Sequence, residues 1–108
     1  MSLLGDRQRL FARMLPRLID KAHDLGFEVT LGDAHRSKIE AKRLGFENSN
    51  HTRCLAIDLN LFKNGIYLAE TDDHMPLGLW WEQQHELCRW GGRFNDGNHY
   101  SFEWRGKM

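Results

Sequence analysis

The sequence predicts an α+β fold, a small antiparallel sheet packed against helices, and three observations carry that expectation. Apolar residues recur at three- and four-residue steps between Leu10 and Ala22, which is the period of an amphipathic helix. Between Leu55 and Phe62 they alternate instead, which is the period of a half-buried strand. An Asn-Gly pair, Asn64-Gly65, closes that strand, and Asn-Gly is the strongest short-range signal for a hairpin and so for antiparallel pairing. A chain of 108 residues suffices for one domain, residues 1–108, with one modest core, and not for two.

Each element follows from local chemistry. From Asp6 to about Asp24, Leu10, Phe11, Met14, Leu15, Leu18, Ile19 and Ala22 line one helical face, and Gly26 ends the helix. Pro16 lies inside the pattern and is expected to kink or divide it. Phe27 to Leu31 reads as a short strand stopped at Gly32. Ser37 can cap a brief helix through Arg43, which Gly45 terminates. In the strand from Leu55 to Phe62, Leu55, Ile57, Leu59 and Leu61 share the core face, leaving Ala56, Asp58, Asn60 and Phe62 opposite. Ile66 to Leu68 is the returning strand. Pro76 opens a second helix expected to carry Leu77, Leu79, Trp80, Trp81, His85, Leu87 and Cys88. Gly91-Gly92 and the turn formers Asn95-Asp96-Gly97-Asn98 lead into a last strand, His99 to Trp104. Its Tyr100, Phe102 and Trp104 face a core and leave His99, Ser101 and Glu103 opposite. The predicted order is helix, strand, helix, hairpin, helix, strand.

Composition narrows the function classes. Apolar residues make up 41% and charged residues 28%, as in ordinary globular proteins. Lysine plus arginine equals aspartate plus glutamate, fifteen each, so nucleic acid and anionic membrane are disfavoured as main partners. The small clusters Arg13, Arg17, Lys21 and Lys38, Lys42, Arg43 read as solvated helix faces. No run of 18 apolar residues occurs, so no membrane span is expected. The first residues lack the apolar core of a secretion signal, which leads to an expectation of cytoplasmic synthesis. Cys54 and Cys88 are too far apart for a zinc ribbon or finger and read as small hydrophobes, with a disulfide left open. A monomer is expected.

The chemistry concentrates on a few polar residues. Asp58 and His99 each stand on the strand face opposite the core, so they can point into one cleft if their strands are neighbours. His51 lies seven residues before Asp58, about 23 Å along one extended strand and on the other face, so the two can share a metal only across a bend. The Asn48-Ser49-Asn50 run suits a chain that folds back. Asp96 precedes His99 by three residues in a four-residue turn whose ends approach to under about 7 Å. A carboxylate there is placed to take a proton from a water held by a metal. Two histidines and one carboxylate leave a fourth zinc position for such a water, whose pKa zinc lowers toward about 7. His23, His74 and His85 read as surface or hydrogen-bonded residues, His35 as a residue that could line the cleft, and Trp80, Trp81 and Trp90 as core.

The segment Ser49-Asn50-His51-Thr52-Arg53-Cys54-Leu55-Ala56-Ile57-Asp58 resembles the S-x-H-x-x-G-x-A-x-D segment of the zinc D-Ala-D-Ala and L-alanyl-D-glutamate peptidases. That group includes phage endolysins and the dipeptidases of vancomycin resistance. Asp96-Gly97-Asn98-His99 is similar to the group's second segment, and Asp33-Ala34-His35-Arg36-Ser37 to its strand-end segment, usually written with Tyr-Arg-Ser. The resemblance runs from about Val29 to Glu103. It implies His51, Asp58 and His99 as ligands of Zn2+ on the sheet face, in a fold of the Hedgehog/D-Ala-D-Ala peptidase type. It also implies Asp96 as catalytic base and Arg36 as the contact to substrate or developing oxyanion. Ser49 would bind substrate or support the His51 loop. The partner implied is a peptidoglycan stem peptide, cut by an L-alanyl-D-glutamate endopeptidase of phage-endolysin type that reaches the cell wall after holin-type release. A D-Ala-D-Ala carboxypeptidase or dipeptidase, a non-catalytic zinc-binding module and a metal-dependent nuclease are the alternatives. Four departures stand out: Cys54 where glycine is usual, Asp96 where many members have glutamate, Asn98 where proline is frequent, and Tyr100-Ser101-Phe102-Glu103 where a shorter His-Phe-Glu ending is usual.

Overall fold

The computed structural model describes residues 3–34, 39, 42–43 and 50–107. It is α+β: a five-stranded antiparallel sheet packed, among the described residues, with two helices whose bounds are defined, α1 (Leu3–Asp24) and α2 (Met75–Glu82). The strands are β1 (Glu28–Leu31), β2 (Ala56–Lys63), β3 (Ile66–Leu68), β4 (Cys88–Trp90) and β5 (His99–Phe102). The central strand is β2: β1 runs along one of its edges, while β3 and β5 share the other. Beyond β5 lies β4. Among the described residues no helix is long and apolar enough to cross a membrane.

Helix α1 opens three residues before the predicted start and passes through Pro16 without division. Phe11, Met14, Leu18 and Ala22, at helical spacing, are its buried stripe. They pack against the sheet face formed by Leu55, Ile57, Leu59, Leu61, Tyr100 and Phe102, with Leu77 and Trp81 of α2 in the same cluster. Phe11 meets Phe102 edge-on at 5.3 Å between ring centroids. The alternation expected for β2 holds, since Leu55, Leu59 and Leu61 have no exposed surface. Asn64, in the left-handed region with Gly65, makes the hairpin turn to β3. Of the expected helix over 37–43, Ile39, Lys42 and Arg43 are helical; Ser37 and Gly45 lie outside the described residues.

Further boundaries differ from the sequence reading. The second helix, expected to run through Cys88, stops at Glu82, and Cys88–Trp90 is strand β4. Apolar residues from Leu77 to Trp90 fit a helical period and a helix-then-strand equally well over so short a run. The arbiter is the free edge of β5, which gives Cys88, Arg89 and Trp90 ladder partners in Phe102, Ser101 and Tyr100. Trp90 then packs its ring between Gly78 and Gly92, where an added Cβ would come within 2.1 and 2.2 Å of the ring. Its Nε1–H donates to the Gly97 carbonyl at 2.7 Å. The last strand ends at Phe102 rather than Trp104, which pairs back on Lys107 in a terminal turn.

Candidate metal centre

Register brings two of the expected ligands together. In the β2–β5 ladder Asp58 stands directly opposite His99, so both side chains leave the same sheet face. The main chain of Asp58 is clamped from the other edge. Its N–H donates to the Asp33 carbonyl and its carbonyl accepts from Gly32 N–H, each at 2.8 Å. Gly32 lies so close there that a Cβ would meet the Asp58 Cβ at 3.1 Å. Short extension of β1 therefore sets the height of Asp58 above the sheet.

The bend that His51 requires comes after it, in a single 3₁₀ turn, Asn50–Arg53, closed by Leu55 N–H donating to the Asn50 carbonyl at 3.0 Å. Cys54 turns the chain with φ 56°, a left-handed conformation that favours glycine and disfavours side chains. Asn50, fully buried, fastens this turn by donating from Nδ2 to the carbonyls of Phe102 and Lys107 at 2.8 and 3.0 Å. The result is that His51, on the wrong face if the chain were straight, curls over Asp58.

One ring nitrogen from each of His51 and His99 and one carboxylate oxygen of Asp58 lie within 4.8 Å of one another. His51 Nε2 is 3.2 Å from Asp58 Oδ1, and His99 Nδ1 is 3.7 Å from the same oxygen. The rings sit edge-to-face at 73° with centroids 5.2 Å apart. His51 Nδ1–H donates to the Ala34 carbonyl at 2.7 Å, which turns Nε2 inward as a ligand's outer hydrogen bond does. Both histidines are buried, and the Asp58 side chain is 20% exposed. Burial pushes the Asp58 carboxyl up, but the hydrogen bonds and charges of His51 and His99 outweigh it and hold it down at about 2. The carboxylate is thus ionised across ordinary pH, as a ligand must be. This group could hold a metal ion.

Asp96 is exposed, at the start of the turn that ends in His99. His99 N–H donates to the Asp96 carbonyl at 3.1 Å, and Asp96 N–H to the Gly91 carbonyl at 3.0 Å. Its carboxylate is outside the three-donor group. Arg36, Ser49 and His35 lie outside the described residues. The other histidines have structural surroundings. His85 Nδ1 accepts from Leu87 N–H at 3.0 Å, His23 is exposed, and buried His74 pairs its Nδ1 with the Tyr100 hydroxyl at 2.8 Å. Cys88 and Cys54 are free thiols, and burial pushes Cys88 up to about 12, far from a thiolate ligand.

Three supporting groups were not legible as such in the sequence. The Ala34 carbonyl carries no side-chain signal at all. Gly32 and Gly91 are needed for close approach, and a Cβ on Gly91 would meet the Asp96 carbonyl oxygen at 2.4 Å and the His99 Cβ at 2.8 Å. A glycine facing a ligand-bearing strand was the only available hint. No protein-family model and no curated protein matches this chain.

Proposed function

We propose that this protein is a zinc-dependent peptidase of peptidoglycan stem peptide, of the L-alanyl-D-glutamate endopeptidase type found in phage endolysins, with D-Ala-D-Ala cleavage as the nearest variant. The observation that carries the reading is the convergence of His51, Asp58 and His99, from three separate elements, on one partly open point. Two imidazoles and a carboxylate are a donor set that suits zinc and leaves a coordination position free. Zinc at about 2.0–2.1 Å from tetrahedral donors separates them by about 3.3 Å, and the two Asp58 spacings of 3.2 and 3.7 Å lie on either side of that value. The left-handed φ of Cys54 adds support, because it explains why the resembled segment has glycine there.

The chain's own groups divide the work. A bound zinc ion supplies a Lewis acid that polarises the peptide carbonyl and makes water acidic near neutral pH. Two neutral imidazoles and one carboxylate leave that ion a net positive charge. Asp96, exposed beside the His99 turn, accepts the proton of the attacking water and returns it to the leaving amine. Arg36 pairs with the carbonyl oxygen as negative charge develops on it. The Ala34 carbonyl keeps His51 in the tautomer that offers Nε2.

The test is release of new amino termini from purified cell walls by the zinc-loaded protein, with Asp96→Ala as control. Release by wild type, and a loss of about 100-fold or more in the variant, is expected for a general base. No release from walls of any chemotype overturns the peptidase reading.

A further inference from the structure

Among the described residues two buried side-chain polar atoms have no hydrogen-bond partner, His99 Nε2 and Ser101 Oγ. They belong to one strand and, two residues apart, to one face of it. Ser101 has no exposed surface, and His99 is 8% exposed. The opposite face of β5 carries Tyr100 and Phe102 into the core, so nothing about core packing asks for a hydroxyl at position 101. An unmade bond at a buried donor or acceptor destabilises the fold, and two such atoms from one face of one strand call for a common explanation.

The two histidines of the centre differ in this respect. His51 presents Nε2 to Asp58 and spends Nδ1–H on the Ala34 carbonyl. His99 presents Nδ1 to Asp58, which leaves Nε2–H as the outer donor, and that donor has no acceptor. A metal-binding histidine almost always gives its outer N–H to an oxygen, which fixes the ring and raises its basicity. Same-face neighbours on a strand are about 6.6 Å apart. That is a main-chain spacing; the ring and the hydroxyl make no direct hydrogen bond, and a single water that accepts from one and donates to the other would join them. Ser101 also stands opposite Ala56 in the ladder, a side chain with no polar atom to offer the hydroxyl.

We infer that Ser101 is a positioning residue for the metal centre: through one buried water its Oγ accepts from His99 Nε2–H and holds the ring with Nδ1 toward Asp58. A water in that place has the polar partners a buried water needs. The inference rests on the zinc reading above, and the measurement separates the two. Zinc affinity of the full chain is measured by competition with a chromophoric chelator, alongside melting of the metal-free protein. Ser101→Ala is expected to weaken zinc 10- to 100-fold, the range for lost outer-shell partners, with metal-free melting unchanged. Ser101→Cys, matched in size but a weak acceptor, falls between. In zinc-loaded wild type, ¹⁵N spectra should show His99 with a slowly exchanging Nε2–H, and Ser101→Ala should speed its exchange. Equal zinc affinity in wild type and Ser101→Ala overturns the role of Ser101, as does His99 coordinating through Nε2. Should Ser101→Ala not fold, the wild-type spectrum alone decides. A wild type that binds no zinc removes the metal centre itself, and the inference with it.

Discussion

Gly91→Ala tests how closely the fold and the centre are joined. The new Cβ would lie 2.4 Å from the Asp96 carbonyl oxygen and 2.8 Å from the His99 Cβ. The first distance is about 1 Å short of ordinary contact. Neither atom is the far end of a flexible side chain. One is backbone of the turn that carries Asp96, and the other is the root of a candidate ligand. The same turn is tied by the Asp96–Gly91 and His99–Asp96 main-chain bonds, so relief means moving it by a sizeable fraction of an ångström. Overpacking of this kind costs about 1–3 kcal/mol, a fall in Tm of about 4–12 °C for a domain of this size. Metal sites need their ligands held within about 0.5 Å, so zinc affinity should fall by about 10-fold or more. Thermal melting of metal-free protein and chelator competition read the two effects separately. Gly65→Ala is the control: its φ of 75° imposes backbone strain, but nothing lies within 4 Å of the added Cβ. It should lower Tm and leave zinc affinity alone. Wild-type Tm and zinc affinity in Gly91→Ala would refute the reasoning, and so would an equal loss of affinity in Gly65→Ala.

Three further outcomes are expected. Leu59→Ala, at a position with no exposed surface beside Asp58, should cost about 2–5 kcal/mol in denaturant unfolding through lost burial and a cavity. Zinc at 100 times its dissociation constant should stabilise the protein by about 2.7 kcal/mol, raising Tm by about 10 °C; a chelator should reverse this, and Asp58→Asn should lose most of it. Burial holds His74 down at about 4 from its ordinary 6.5, against the opposing pull of Asp73. The unfolded chain therefore takes up that proton first, so stability is full above pH 6.5 and is lost as pH falls toward 4. The loss is at most about 3 kcal/mol, and about half that once water relaxes around the charged ring. Denaturant unfolding at pH 7 and pH 4 should show the acid loss in wild type and a flatter profile in His74→Gln, whose amide can still pair with the Tyr100 hydroxyl.

The parts of this protein legible in sequence are those written in local periods. The stripe of α1, the alternation of β2 and the Asn64-Gly65 turn could all be read from neighbours a few residues apart. Strand β4 could not, because its residues become a strand only where β5 offers an open edge. The ends of α1 and β5 also shifted, by three and two residues, where fraying and tertiary contacts outweigh propensity.

The centre divides along the same line. Sequence by itself determined that Asp58 and His99 leave the faces of their strands opposite the core, since side chains alternate along any strand whatever its partners. It also required a bend between His51 and Asp58. Only the tertiary structure decided that β2 and β5 are neighbours with Asp58 opposite His99, and that Asn50 and the left-handed Cys54 supply the bend. The oxygen of Ala34 that orients His51 and the orphaned Nε2 of His99 belong to the same class. The physical reason is range: periodicity is fixed by bonded geometry over a few residues, whereas register, a main-chain acceptor and an unmatched buried donor exist only once distant segments meet.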